Sequence, residues 1–473
     1  MKQEQTPLYD ALVQFAAKRP LSYHVPGHKN GTYFAERGDY YFHKLLAIDV
    51  TELTGLDDLH DPSDCIEEAQ TLLAQLYGVQ KSYFLVNGST VGNLAMILAV
   101  CKENDIVLVQ RNCHKSVMHA LQLVGARPVF LETIYDDQAY VPVGMTCETV
   151  AQALNQYPEA KALILTHPNY YGMGMDLADI ITVAHSKDIP VLVDEAHGAH
   201  FCLGEPFPKS AIAYGADVVV HSAHKTLPAM TMGSYLHVNS ERVDEKTISQ
   251  YLSMLQSSSP SYPIMASLDL ARYSLAELKK KGLEELLSFV KAFREELSTI
   301  PQISVLHSGL QDIIKITIQT RCKLSGYEIQ GILEKEGIYT ELADPYNVLL
   351  ILPLQVQEEY VQAVARIKTA LGHYEVVPRE KAALPSYSAN VTVLPYNYKE
   401  LELYKSKCVH LCEAKGYIAA DMLIPYPPGI PLIIKGEQIA DEHIKAFNLL
   451  KQSGARFQGP PHIKDGKINV YDV

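Results

Sequence analysis

From about residue 66 the chain alternates between two hydrophobic periods. Ile66–Gly78 repeats its apolar positions at helical spacing, and Tyr83–Val86 is a short apolar run ending at Asn87-Gly88-Ser89-Thr90. Val91–Lys102 returns to helical spacing. Further strand-length runs stand at Ile106–Val109, Pro128–Leu131, Ala162–Thr166, Val191–Asp194, Asp217–His221 and Ser234–Val238. Helical segments Ser116–Val124, Cys147–Gln156 and Asp179–His185 separate most of them. Runs that are apolar at nearly every position are buried on both faces, so the pattern predicts an α/β fold with a parallel sheet covered by helices. Ligands of such sheets bind outside the carboxyl ends of the strands.

The flanks read differently. Residues 1–65 are rich in loop signals, such as His24-Val-Pro-Gly-His28 and Asp57-Asp-Leu-His-Asp-Pro62, and suggest an arm that wraps something. The large domain is expected over 66–300, closing with helical segments Leu268–Lys281 and Glu284–Leu297. A small α/β domain is expected over 301–376, and a C-terminal domain over 377–473 with its own motif at Ile424-Pro-Tyr-Pro-Pro-Gly-Ile-Pro431.

Composition narrows the function classes. Hydrophobic residues make up 47% and charged residues 20%, the profile of a folded globular chain. A formal net charge of -13 argues against nucleic-acid binding, which depends on a basic face. The first twenty residues lack the apolar core of a secretion signal, and no run is long enough for a membrane helix. Eight cysteines without framework spacing fit reduced thiols in the cytoplasm, and no metal site is expected from them.

The chemistry gathers at strand ends. Asp194 closes Pro190-Val-Leu-Val-Asp194, and Val218-Val-Val-His-Ser-Ala-His-Lys225 ends another buried strand with a lysine. A carboxylate and a lysine there can serve opposite ends of one aromatic cofactor, pyridoxal 5'-phosphate (PLP). The lysine binds the aldehyde as a Schiff base and the carboxylate keeps the pyridine nitrogen protonated. Gly88-Ser89-Thr90, between a strand and a helix, offers a phosphate cradle, with Ser222 and His224 as further donors. His114, before a helix, can stack on the ring. Taken singly, each residue has a plainer reading as a turn, a cap or a solvated side chain. Their shared edge of one predicted sheet gives the set its meaning.

These motifs also occur together in a known family. Tyr23-His-Val-Pro-Gly-His-Lys29, Asp57-Asp-Leu-His60, Asn87-Gly-Ser-Thr90, Arg111-Asn-Cys-His114, Asp194-Glu-Ala-His-Gly198, His221-Ser-Ala-His-Lys225, Ser257-Ser-Ser-Pro-Ser-Tyr262 and Pro425-Tyr-Pro-Pro-Gly-Ile-Pro431 span nearly the whole chain. The sequence resembles the Orn/Lys/Arg decarboxylase family, in the short form found in Bacillus and its relatives. That resemblance implies PLP fold type I, aspartate-aminotransferase-like, with a mostly parallel seven-stranded sheet and smaller α/β C-terminal domains. It implies Lys225 as the Schiff-base lysine and Asp194 as partner of the pyridine nitrogen. Ser89, Thr90, Ser222 and His224 fall at phosphate positions, and His114 at the stacking position. Ala196 packs under the ring, and His197 lies near the cofactor or the substrate carboxylate. Homodimers, with Ser257–Ser259 reaching the neighbouring subunit's cofactor, are implied as well. The large members carry an N-terminal wing domain, whereas this chain opens at Pro7-Leu-Tyr9, so dimers or tetramers are expected and not decamers. Asn169 stands where the family commonly has Thr, which puts the contact to the ring hydroxyl in question.

The implied reaction is decarboxylation of arginine or lysine, with ornithine behind them. Glu341 and Asp344 are candidates for the acidic partner of the substrate's distal cation. Either Lys225 or His197 can return the proton to Cα. An aminotransferase, lyase or oxidase on the same scaffold is the nearest alternative, and a non-catalytic paralogue a distant one. A metal hydrolase, suggested by His197-x-x-His200 and His221-x-x-His224, leaves Lys225 without a task. Asp194-Glu-Ala-His197 spells a helicase box, but no GxxxxGK[ST] loop accompanies it.

Overall fold

The computed structural model describes residues 2–377, 391–426 and 429–473. Seven strands form where the apolar runs place them: β1 (Lys81–Leu85), β2 (Ile106–Gln110), β3 (Arg127–Leu131), β4 (Ala162–Thr166), β5 (Val191–Asp194), β6 (Val218–His221) and β7 (Ser234–Val238). Every residue of β4, β5, β6 and β7 is buried, which is why these runs are continuously apolar instead of alternating.

The chain divides into two compact units. The first comprises Met1–Val100, Pro190–Glu205 and Lys209–Leu283. Within it β5 runs parallel to β6, β7 runs antiparallel to β6, and β1 antiparallel to β7. Helix Gly88–Val100 lies close against these strands because Gly92 has no side chain. A Cβ there would stand 2.8 Å from Leu85 Cδ1 and 2.9 Å from Val220 Cγ1.

The arm expected at the N-terminus is part of this unit. Helix Pro7–Ala17 buries Leu8 and Leu12 completely, and Leu8 N donates to Asp269 Oδ2 at 3.1 Å. Residues 21–42 are far more open, with Tyr23, Tyr40 and Tyr41 exposed by 94%, 89% and 82%. Asp57, at φ +65°, organises the segment that follows. Its carboxylate accepts backbone N–H bonds from Asp58, Ser63, Asp64, Ile66 and Glu67, and so caps helix Cys65–Tyr77 from a distance. Burial alone pushes this carboxyl's pKa up, but the N–H donors outweigh it and hold the group below its ordinary range.

The second unit comprises Cys101–Ile189, Pro206–Pro208 and Glu284–Val473. Here β2 lies between β4 and β3, all parallel. A separate antiparallel sheet holds β8 (Ile303–Val305), β9 (Lys315–Thr320), β10 (Leu342–Ala343) and β11 (Asn347–Ile351), in the order β8-β9-β11-β10. A short strand, β12 (Val391–Val393), pairs antiparallel with β3. It is three residues long and none of them is buried, so no apolar run announces it. The C-terminal region has its own core, in which Leu423, Ile433, Phe447, Ile463 and Val470 pack together. Of the Ile424–Pro431 motif, Pro427 and Pro428 lie outside the described residues, as do residues 378–390 of the expected C-terminal domain. Among the described residues no helix is long and apolar enough to cross a membrane.

Candidate active site

Two neighbouring strand ends of the first unit create the site. In the parallel pair β5–β6, Asp194 stands opposite Val220, so the residues following each strand leave the sheet side by side. Glu195 N donates to Val220 O at 2.9 Å and Ser222 N to Ala196 O at 3.2 Å, which ties the two turns together. Asp194 and the Ser222-Ala-His-Lys225 turn therefore meet at one edge, as the strand pattern predicts.

Asp194 is 3% exposed. Its Oδ2 accepts from Asn93 Nδ2 at 2.8 Å and its Oδ1 from Ala196 N at 3.2 Å. Asn93 sits four residues after Ser89 on helix Gly88–Val100, hence on the same face. Sequence reasoning passed over it, although a polar residue in the otherwise apolar Val91–Val100 stretch was a legible signal.

Lys225 Nζ lies 3.1 Å from His197 Nε2. One proton shared between a primary amine and an imidazole can reside on either, so His197 can accept the proton that keeps Lys225 from acting as a nucleophile. The helix start supplies the polar cradle. Gly88 adopts φ +77°, Ser89 and Thr90 occupy the first turn, and Ser222 Oγ donates to Ser89 Oγ at 2.7 Å. His224 Nδ1 is 3.0 Å from Gly233 O, and because a carbonyl only accepts, Nδ1 carries the hydrogen.

A buried polar ladder backs this edge, and none of it was singled out in the sequence apart from His221. Glu195 is fully buried and accepts from Ser210 Oγ at 2.6 Å and Ala211 N at 2.7 Å, with His221 Nε2 also at 2.6 Å. His221 Nδ1 lies 3.1 Å from His237 Nε2, and His237 Nδ1 2.8 Å from Ser82 Oγ. Burial first, then the neighbouring His221, hold the His237 imidazole well below the ordinary histidine range, so it stays neutral. With His221 engaged in this way, the His-x-x-His spacing at 221 and 224 reflects structure. Among the described residues no group of three or more His, Cys, Asp or Glu is placed to hold a metal ion.

The other predicted residues lie in the second unit. His114 caps helix Lys115–Val124, its Nδ1 accepting from Ser116 N at 3.3 Å. Asn169 organises its own loop: Oδ1 accepts from Tyr171 N and Met173 N at 3.0 and 2.9 Å, and Nδ2 donates to Pro142 O at 3.0 Å. Glu341 is exposed. Asp344 accepts four hydrogen bonds, from Tyr346 N, Asn347 N, Asn347 Nδ2 and Tyr171 Oη. Those donors fill its lone-pair directions, so Asp344 holds its turn in shape and has no oxygen left to offer a cation. Ser257–Ser259 is an exposed turn whose Ser257 carbonyl meets His60 Nε2 at 2.9 Å.

In its donor set, the first-unit edge fits a flat, anionic aromatic aldehyde. It joins an N–H-rich helix start with paired hydroxyls, a buried carboxylate and an amine beside an imidazole. Comparison with known proteins gives the same reading. Residues 6–322 match the family model described as Orn/Lys/Arg decarboxylase, major domain, and residues 385–466 match that family's C-terminal domain. The chain is 49% identical to the uncharacterized protein YaaO of Bacillus subtilis, over 98% of each chain. It is 34% identical to an arginine decarboxylase of the same organism, over 97% of this chain and 96% of that one. Among solved structures, the Escherichia coli constitutive lysine decarboxylase superposes with a TM-score of 0.82 at 19% identity, covering 99% of this chain and 82% of that one. The fold is the α/β PLP fold type I, with a mostly parallel large-domain sheet, and the family and fold are PLP-dependent. The chain thus belongs to the Orn/Lys/Arg decarboxylase family, in the short form typified by YaaO and the Bacillus arginine decarboxylases.

Proposed function

We propose that this chain decarboxylates a basic amino acid, arginine or lysine ahead of ornithine, to the corresponding amine and CO2. The observation that carries the reading is the contact between Lys225 Nζ and His197 Nε2 at the edge where Asp194 also ends its strand. Lys225 Nζ would hold the aldehyde carbon of PLP. Asp194, oriented by Asn93, would hold a proton at the ring nitrogen. The N-terminus of helix Gly88–Val100, with Ser89, Thr90, Ser222 and His224, would hold the phosphate, while Ala196 would pack against the ring. When bound, PLP supplies an electron sink for the bond broken at Cα.

The protein's own residues perform the remaining work. His197 Nε2 accepts the proton of Lys225 Nζ when the lysine must be neutral, and returns it when the lysine must leave. The same pair lies at the site as the donor that reprotonates Cα. Orientation decides the outcome: the residues around the substrate must hold the Cα–carboxylate bond perpendicular to the ring, which favours loss of CO2 over loss of the Cα proton.

A homodimer fits the exposed tyrosines of residues 21–42, an aromatic surface that a second subunit would cover. Sedimentation equilibrium is expected to give twice the chain mass of 52.6 kDa, and a monomer at micromolar concentration refutes that assembly. None of the eight cysteines is disulfide-bonded, and burial pushes the thiols of Cys65, Cys101 and Cys202 up to about 12, as suits a reducing cytoplasm.

Product identification tests the reaction itself. Protein loaded with PLP and given arginine, lysine and ornithine in separate incubations is expected to yield agmatine or cadaverine by mass spectrometry. Failure to form an amine from any of the three, with PLP bound, overturns the decarboxylase reading and brings the other fold type I reactions forward.

A further inference from the structure

The second unit holds a cavity of about 210 Å³, with Asn169 and Asp344 among its lining residues. Its wall is mainly apolar and aromatic, with Tyr135, Tyr140 and Tyr327 among the lining residues. Three charged side chains reach it: Arg111, Glu132 and Asp344.

The Glu132 carboxylate is incompletely compensated there: burial raises its pKa, and Arg111 opposes that shift without cancelling it. Arg111 Nη2 lies 2.9 Å from Glu437 Oε1, and Arg111 Nε lies 3.6 Å from Glu132 Oε1. One guanidinium thus faces two carboxylates whose side chains are only 6% and 10% exposed. His443 Nε2 stands 3.6 Å from Glu437, but burial lowers its proton affinity and leaves it neutral, so it adds no positive charge. Glu132 Oε1 accepts from Thr392 Oγ1 at 2.9 Å, while its Oε2 is buried with no hydrogen-bond partner. A buried carboxylate oxygen without a donor is costly, and a cationic donor arriving from the cavity removes that cost. Asp344 cannot play this part because four donors already occupy it.

The geometry points to a binding site for an organic cation, an aliphatic chain ending in an ammonium or guanidinium group, with that group against the Glu132 carboxylate and the chain along the tyrosine wall. Aromatic faces favour such cations, and the aliphatic stem suits the apolar lining. A hard metal ion does not suit the site, since it requires six or more oxygen ligands and, among the described residues lining the cavity, Glu132 has the one unpartnered carboxylate oxygen. The choice of aliphatic amines rests on the function proposed above. A basic amino acid and its amine product share this chemistry, so the occupant can come from either source.

Calorimetric titration of the PLP-loaded protein with agmatine and cadaverine, with visible absorbance recorded in parallel, tests the site. Glu132→Gln is expected to weaken binding about ten- to a hundredfold, the loss when a charge-assisted hydrogen bond becomes a neutral one. Ala446→Met narrows the cavity from helix Asp441–Gln452 while leaving Glu132, Arg111 and Glu437 unsubstituted, and is expected to weaken binding too. The uncharged 1,5-pentanediol is expected not to bind. A visible band that shifts with the same midpoint marks the occupant as substrate or product at the cofactor; an unchanged band marks an amine bound apart from it. Wild-type affinity in both variants overturns the site. Amine formation in the same preparations keeps the claims separate: active protein without Glu132-dependent binding sinks only the cavity proposal. Inactive protein with such binding sinks only the decarboxylase reading.

Discussion

Lys225→Ala is expected to form no measurable amine from any basic amino acid, and to lose the visible band that borohydride removes from the wild-type, PLP-loaded protein. Two losses combine. In the proposed reaction the amine, 3.1 Å from His197 Nε2, would fix the aldehyde carbon and form half of the pair that carries protons at Cα. Positioned proton transfer alone contributes about 10²–10⁴-fold, so losing attachment and transfer together gives a fall of at least about 10³-fold. The fold is expected to survive. Lys225 is half-buried in the short helix Ala223–Thr226, where alanine is a favourable residue, so the circular dichroism spectrum and melting temperature stay near wild type. Near-normal amine formation by this variant would remove Lys225 from the chemistry and leave its contact with His197 without a purpose.

Strand positions were legible because continuous apolar runs have few ways to be buried. Each of the seven runs, from Tyr83–Val86 to Ser234–Val238, became a strand, with ends shifted by two residues at most. That Asp194 and Lys225 lie at adjacent strand ends could be read as well: one closes its strand and the other follows the neighbouring one. What could not be read was lateral. Glu195 and His221 are twenty-six positions apart, and nothing local marks a buried Glu as the acceptor of a histidine two strands from Ser82. The direction of β7 was also hidden, because a fully buried antiparallel strand has the same apolar run as a parallel one. Asp344 is a different case. Its place in Thr340-Glu-Leu-Ala-Asp-Pro345 suggested an available carboxylate, whereas backbone N–H groups and Tyr171 consume it. A carboxylate before Pro is as often a turn residue as a ligand, and only the fold tells them apart.

Asp194→Asn separates charge from shape at the other end of the site. The amide fits the same space, and Asn93 can reorient its own amide to keep the 2.8 Å contact, so the helix and the strand end stay in place. The negative charge is what disappears. A carboxylate within about 4–6 Å raises the proton affinity of a basic nitrogen by about 1–3 pKa units, equivalent to about 1.4–4 kcal/mol. Without it the ring nitrogen holds its proton less often, and the electron sink weakens by a matching amount. The expected result is a fall in kcat of about 10- to 1000-fold with KM little changed, since the phosphate cradle at Ser89 and Ser222 and the lysine are intact. Bound PLP, counted by phosphate or absorbance, should stay near one per chain. A purely structural Asp194 would show the reverse pattern, with less PLP retained and a lower melting temperature but normal turnover per bound cofactor. Asp194→Glu provides the matching control, because it restores the charge while moving it by one methylene. Partial recovery of kcat by Glu over Asn assigns the effect to charge, and equal activity of the two variants assigns it to geometry.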